Sequence, residues 1–142
     1  MGQPGKAFKG PRRLFFSGRP RTAPAGPAPV AAGYTSPMDV HMVFCSCPDP
    51  ETAARLATAV VEERLAACAS VLPGMHSVYR WQGAVERADE VLLLAKAPAD
   101  RLPLLVERLQ ALHPYELPEV IAVQAAAGLP GYLGWVVEAT RD

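Results

Sequence analysis

The stretch Val91-Leu92-Leu93-Leu94-Ala95 decides the fold. It is the centre of an extended run from Val85 to Lys96. Successive side chains of a strand point to opposite faces, so five apolar residues in a row leave no polar face. Such a strand belongs in the middle of a sheet, with cover on both sides. At five residues it is strand-sized, far below the roughly 18 apolar residues of a membrane-spanning helix.

Upstream, Gly83 marks a turn or bulge, and Ser77 to Gln82 reads as extended chain through Val78, Tyr79 and Trp81. Cys68 to Leu72 reads as a strand stopped by Pro73-Gly74. A helix from about Pro50 to Ala67 precedes it. Asp49 is a suitable N-cap, Pro50 suits the first helical position, and Ala53, Leu56, Ala57, Val60 and Ala67 share one face. Val40 to Cys45 reads as the first strand. Downstream, Leu102, Leu105, Val106, Leu109 and Leu112 form the stripe of a second helix over Asp100 to Leu112, which Pro114 ends. A fourth strand, Glu119 to Gln124, and a short helix, Tyr132 to Glu138, complete the chain.

The order β-α-β-β-α-β predicts an α+β, ferredoxin-like sandwich with a short C-terminal helix. Right-handed connections put both crossover helices on one side of the sheet. The other side of Val91–Ala95 then lacks cover that the terminal helix is too short to supply. Association with identical copies is the expected remedy.

Length and charge fit this reading. The 142 residues suit one folded domain over residues 38–142. Residues 1–37 contain seven prolines, six glycines, six basic groups and no acidic ones, which predicts a disordered basic extension. Arg12-Arg13-Leu14-Phe15-Phe16 resembles a twin-arginine signal, but Arg19, Pro20, Arg21 and Pro24 interrupt the apolar run that should follow. The extension therefore reads as a tail or as upstream sequence translated from too early a start, with organellar or export targeting as the lesser reading. The folded part carries a formal charge of −6, which argues against nucleic acid and attracts cations. Three cysteines give no disulfide framework and point to a reducing, cytoplasmic setting.

Six segments in order resemble the CutA divalent-cation-tolerance family. They are Val43-Phe44-Cys45-Ser46-Cys47-Pro48-Asp49, Glu63-Arg64-Leu65-Ala66-Ala67-Cys68, Ser77-Val78-Tyr79-Arg80-Trp81-Gln82-Gly83, Glu90 to Lys96, His113-Pro114-Tyr115-Glu116 with Pro118-Glu119, and Tyr132-Leu133-Gly134-Trp135-Val136. The resemblance implies a homotrimer of ferredoxin-like subunits, a link to copper or another divalent metal, and no catalytic activity. It places copper ligands at Cys45 and at a histidine pair before Pro-Tyr. This chain keeps the second histidine, His113, but has Leu112 at the first position. Cys47 is the residue that compensates, since it points the same way as Cys45 in a strand. Two thiolates and an imidazole suit Cu(I) or zinc.

Each candidate has a plainer role beside the functional one. Cys45 and Cys47 are also small residues of the kind found packed at strand ends. Cys68, beside an alanine-rich helix end, reads as core. His113 also fits a cation at a helix C-terminus. Trp81, Lys96, Tyr115, Glu116 and Glu119 would line a cleft between subunits, where Trp81 would pack and Lys96 would reach water or an anion.

Three functions compete. The first is a trimeric metal-linked binding protein. The second is a signalling module similar to the nitrogen-regulatory PII proteins, binding a small ligand between subunits. No long polar loop interrupts Ser77 to Glu90, which counts against it. The third is a small hydrolase using Glu119 or His113 as base. No phosphate-binding glycine motif and no serine nucleophile elbow is present.

Overall fold

The computed structural model describes residues 39–142. The basic extension read from residues 1–37 lies outside them. Four strands, β1 (Val40–Cys47), β2 (Cys68–Trp81), β3 (Ala84–Pro98) and β4 (Val120–Gln124), form one antiparallel sheet in the order β2-β3-β1-β4. Three helices accompany them: α1 (Pro50–Glu62), α2 (Leu102–Leu112) and α3 (Pro130–Ala139). This is the expected α+β, ferredoxin-like sandwich, with Val91–Ala95 in a central strand.

Local sequence explains the element ends. Asp49 caps α1 by accepting the Thr52 N–H at 2.7 Å, and Pro50 opens the helix. The helix stops at Glu62 rather than Ala67 because Arg64 turns left-handed at φ 58°. Leu65 N–H then reaches back to the Val60 carbonyl at 2.9 Å. That reversal is usually made by glycine, so arginine gives no warning of it. At the end of α2, His113 is already extended, as a residue before proline prefers.

β2 departs most from expectation. Pro73-Gly74 does not stop it. The strand runs on to Trp81, with a register shift between Leu72, opposite Leu92, and Met75, opposite Glu90. Proline's missing N–H and glycine's φ of 77° are tolerated where an extra residue already interrupts the ladder. β2 and β3 therefore make one long hairpin, closed by Gln82 (φ 48°) and Gly83 (φ 80°). Two positive φ values are what a two-residue hairpin turn requires.

The core lies between the sheet and its two crossover helices. Val43, Cys45 and Cys47 of β1 and Val91, Leu93, Ala95 and Ala97 of β3 face Ala53, Leu56 and Val60 of α1 and Leu105 and Leu109 of α2. The other face carries Phe44 between Leu94 and Ile121, and Leu92 beside Leu72. Among the described residues only one end of it is covered, where Val136 and Val137 of α3 pack with Val40 and Ala67. Arginines fasten that helix: Arg101 donates to the Thr140 carbonyl and Arg64 to the Arg141 carbonyl, each at 2.6 Å. Elsewhere the face stays open, with Ile121 53% and Leu72 43% exposed. The hairpin beyond Met75 projects past β1 and exposes Val78 at 61% and Val85 at 56%.

Cys68 is not core. It lies half-buried on the open face, opposite Lys96, whose ammonium is 3.8 Å from its sulfur. The Tyr132 hydroxyl lies 3.4 Å from the same sulfur. The chain leaves α1 five residues earlier than the helix reading allowed, so Cys68 starts β2 with the other facing.

Candidate metal centre

The last two alternate residues of β1 on the core side are Cys45 and Cys47, both fully buried. α2 delivers His113 to the same place, because its C-terminal end overhangs the end of β1. The ligating atoms of the three side chains all lie within 4.8 Å of one another.

The imidazole is held on both edges. Its Nε2 lies 2.8 Å from the Ser46 carbonyl oxygen, and its Nδ1 accepts the Tyr115 backbone N–H at 3.1 Å. An accepting Nδ1 carries no proton, so the ring is the Nε2–H tautomer donating to Ser46. His113 is 7% exposed and does not act as the solvent-facing helix-end cation that its position in the sequence also allows. The Tyr115 ring packs against it, centroids 4.6 Å apart, and its hydroxyl donates to Glu90 Oε2 at 3.0 Å.

The two thiols differ. Cys47 is lowered from the ordinary 9.0 to about 6, first because the Cys45 S–H donates to its thiolate, with burial opposing and His113 assisting. Cys45 moves far upward, first because its proton is held by Cys47 and then through burial. When Cys47 is protonated, its S–H instead meets the Cys45 carbonyl at 3.8 Å. Tyr115 is also raised, by burial and then by the charge of Glu90.

Stability follows from the lowered Cys47. Between about pH 6 and 9.0 the unfolded chain holds a proton that the folded site has released. This group's contribution therefore grows with pH across that window, and is lost as pH falls through about 6. Ultraviolet thiolate absorbance of the folded protein should rise with a midpoint near 6, a step missing in Cys47→Ala; a first midpoint at the ordinary 9.0 would refute the pairing.

The remaining sequence candidates are spread out. Tyr115 is buried at the site, while Glu116 and Glu119 stand exposed on the loop that follows. The charge of Glu119 still reaches Cys45 and raises it. Lys96 is five residues along β3 from Val91, the partner of Cys47, or about 16 Å at strand rise. Trp81 pairs with Ala84, seven residues from Val91 in the other direction, or about 23 Å. One chain alone does not bring Trp81, Lys96 and Tyr115 together. Glu90 was missed. Its signal was a carboxylate opening an apolar run, and it is 3% exposed.

A ferredoxin-like domain with a buried thiol–thiol–imidazole cluster is, in class, a small α+β protein with a candidate soft-metal centre. Comparison makes the class specific. Residues 41–139 match the model of the CutA1 divalent ion tolerance protein family, and the chain belongs to that family. It is 48% identical over 100 residues to the divalent-cation tolerance protein CutA of Thermus thermophilus, covering 70% of this chain and 97% of that one. Protein CutA of Mus musculus is 40% identical over 134 residues, covering 93% and 74% respectively. A crystal structure of CutA from Xylella fastidiosa superposes with a TM-score of 0.71 at 48% identity, covering 72% of this chain and 99% of that chain.

Proposed function

We propose that this chain is a homotrimeric, metal-linked binding protein with no catalysis of its own, taking copper or another divalent ion at Cys45, Cys47 and His113. The observation that carries the reading is the cluster itself: three metal-ligating atoms from two distant segments within 4.8 Å, in a buried site. Burying two thiols beside an imidazole suits soft metals better than magnesium or calcium, which take oxygen ligands. The name of the Thermus relative, a divalent-cation tolerance protein, agrees with it.

The open sheet face supports assembly. Phe44, Leu92, Leu94 and Ile121 form a contiguous apolar surface, and a two-stranded arm is marginal without neighbours. Copies closing over both would build a shared cleft only by drawing Trp81, Lys96 and Tyr115 from different chains, because Trp81 and Lys96 stand about 40 Å apart along one hairpin. The second reading, a PII-like module holding a small ligand between subunits, would use that cleft. The two-residue turn at Gln82-Gly83 leaves it no recognition loop. Among the described residues no helix is long and apolar enough to cross a membrane. The unpaired cysteines support a cytoplasmic setting. A relative from Arabidopsis thaliana is named chloroplastic, which favours targeting as the competing role of residues 1–37.

Calorimetric titration of the full chain with Cu(I), Cu(II), Zn(II) and ATP tests the reading. Metal binding that weakens in Cys45→Ala and in His113→Ala is expected. Tight ATP binding without metal binding would favour the signalling module instead.

A further inference from the structure

The cluster offers three ligands on paper, but the imidazole is already engaged on both edges. Ligation through Nε2 would require the ring proton to move to Nδ1. That exchange takes the hydrogen bond from the Ser46 carbonyl and from the Tyr115 N–H together. Ligation through Nδ1 would still displace the Tyr115 N–H. Ser46 and Tyr115 are 4% exposed, so no bulk water stands ready to replace what they lose, and a buried backbone group without a partner is costly. The sulfurs are held far more loosely. The Cys47 sulfur meets the Cys45 carbonyl at 3.8 Å, and a thiol is a weak donor.

The sulfurs therefore give way first. Two metal–sulfur bonds of about 2.3 Å span at most about 4.6 Å. The two sulfurs, within 4.8 Å of each other, need little adjustment to share one ion. A pair of thiolates in a closed, apolar strand end satisfies a soft monovalent ion. Zinc in a structural site takes four ligands, and water cannot readily complete its shell where Cys45 and Cys47 are fully buried. Binding a monovalent ion releases the remaining thiol protons and moves no electrons.

We infer, resting on the metal-binding reading above, that Cys45 and Cys47 form a two-sulfur cradle for monovalent copper, closed by His113 as a positioning residue that does not ligate. The imidazole ties the end of β1, through Ser46, to the loop after α2, through Tyr115, and so fixes the strand end that aims both sulfurs. Partners of this kind, standing behind the ligands, set affinity without touching the ion.

The test is anaerobic titration of the full chain with Cu(I) against a chromogenic Cu(I) chelator, with X-ray absorption at the copper edge. One Cu(I) per chain with a sulfur-only shell is expected. Cys45→Ser and Cys47→Ser should each lose more than about 100-fold in affinity, while His113→Gln, which can still donate and accept, should lose about 10-fold, and His113→Ala more. A nitrogen in the copper shell of the unmodified protein would overturn the inference while leaving the metal-binding reading intact. So would a folded His113→Gln that loses as much as the serine variants, or Zn(II) binding in a four-ligand shell that outcompetes Cu(I). Failure of the unmodified chain to bind any metal would end both. Should His113→Gln fail to fold, the absorption spectrum of the unmodified protein still decides.

Discussion

Leu93→Ala should lower the unfolding free energy by about 3–5 kcal/mol, read as a drop in urea midpoint at fixed protein concentration with the slope unchanged. Leu93 is fully buried at the middle of β3, between Cys45 of β1 and Val71 of β2. It belongs to the core cluster formed with Ala53, Leu56, Leu105 and Leu109. The facing surface of α1 sets Ala53 and the stiff, β-branched Val60 beside Leu56, so the void is only partly refilled. That places the cost in the upper part of the usual range, since the penalty grows with the cavity that stays open. A small domain has only about 5–15 kcal/mol in total, so the loss is a large share of its stability. A shift below about 1 kcal/mol would mean that β3 is not the centre of the core.

Ile121→Asp should convert a particle of three chains into single chains, as measured by light scattering coupled to size exclusion. The side chain is 53% exposed in one chain, opposite Phe44 on the open face. A substitution at so exposed a position in a lone subunit usually changes stability by about 0.5 kcal/mol or less. Buried between copies against this apolar face, the same carboxylate would be desolvated, a cost of several kcal/mol. The two situations thus give opposite results from one substitution. A variant that keeps the mass of the unmodified protein would show that copies do not meet on this face, and a single-chain mass for the unmodified protein would remove the assembly altogether.

The fold was legible wherever periodicity and chain breakers agreed. Val91–Ala95 could only be a central strand, and the stripe of Leu102, Leu105 and Leu109 could only be a helix against it. It was illegible where a residue stood in for the usual one. Arg64 took the left-handed turn of a glycine, and Pro73 sat inside a strand, tolerated because β2 is at the sheet edge and is bulged there. The cluster was half legible. Alternation along β1 aligned Cys45 with Cys47, but nothing in the spacing of His113 says that both of its nitrogens are taken, because that depends on Ser46 and Tyr115 folding against it. Glu90 and Cys68 were misjudged for the same reason: their burial depends on a twist and a facing that no short window contains.

The surplus residue opposite Val91 has an architectural consequence. Leu72 and Met75 are three steps apart while Leu92 and Glu90 are two, so the hairpin is pivoted there without changing which residues pair beyond it. On β3 the buried positions switch phase at the same spot, from Ala88 and Glu90 to Val91 and Leu93. Removing Gly74 would leave every later rung matched and every side chain present, yet swing the outer seven rungs on a different bearing. Such a shortened chain would keep its own interior but, in the proposed trimer, miss its neighbours, because what the pivot encodes is direction.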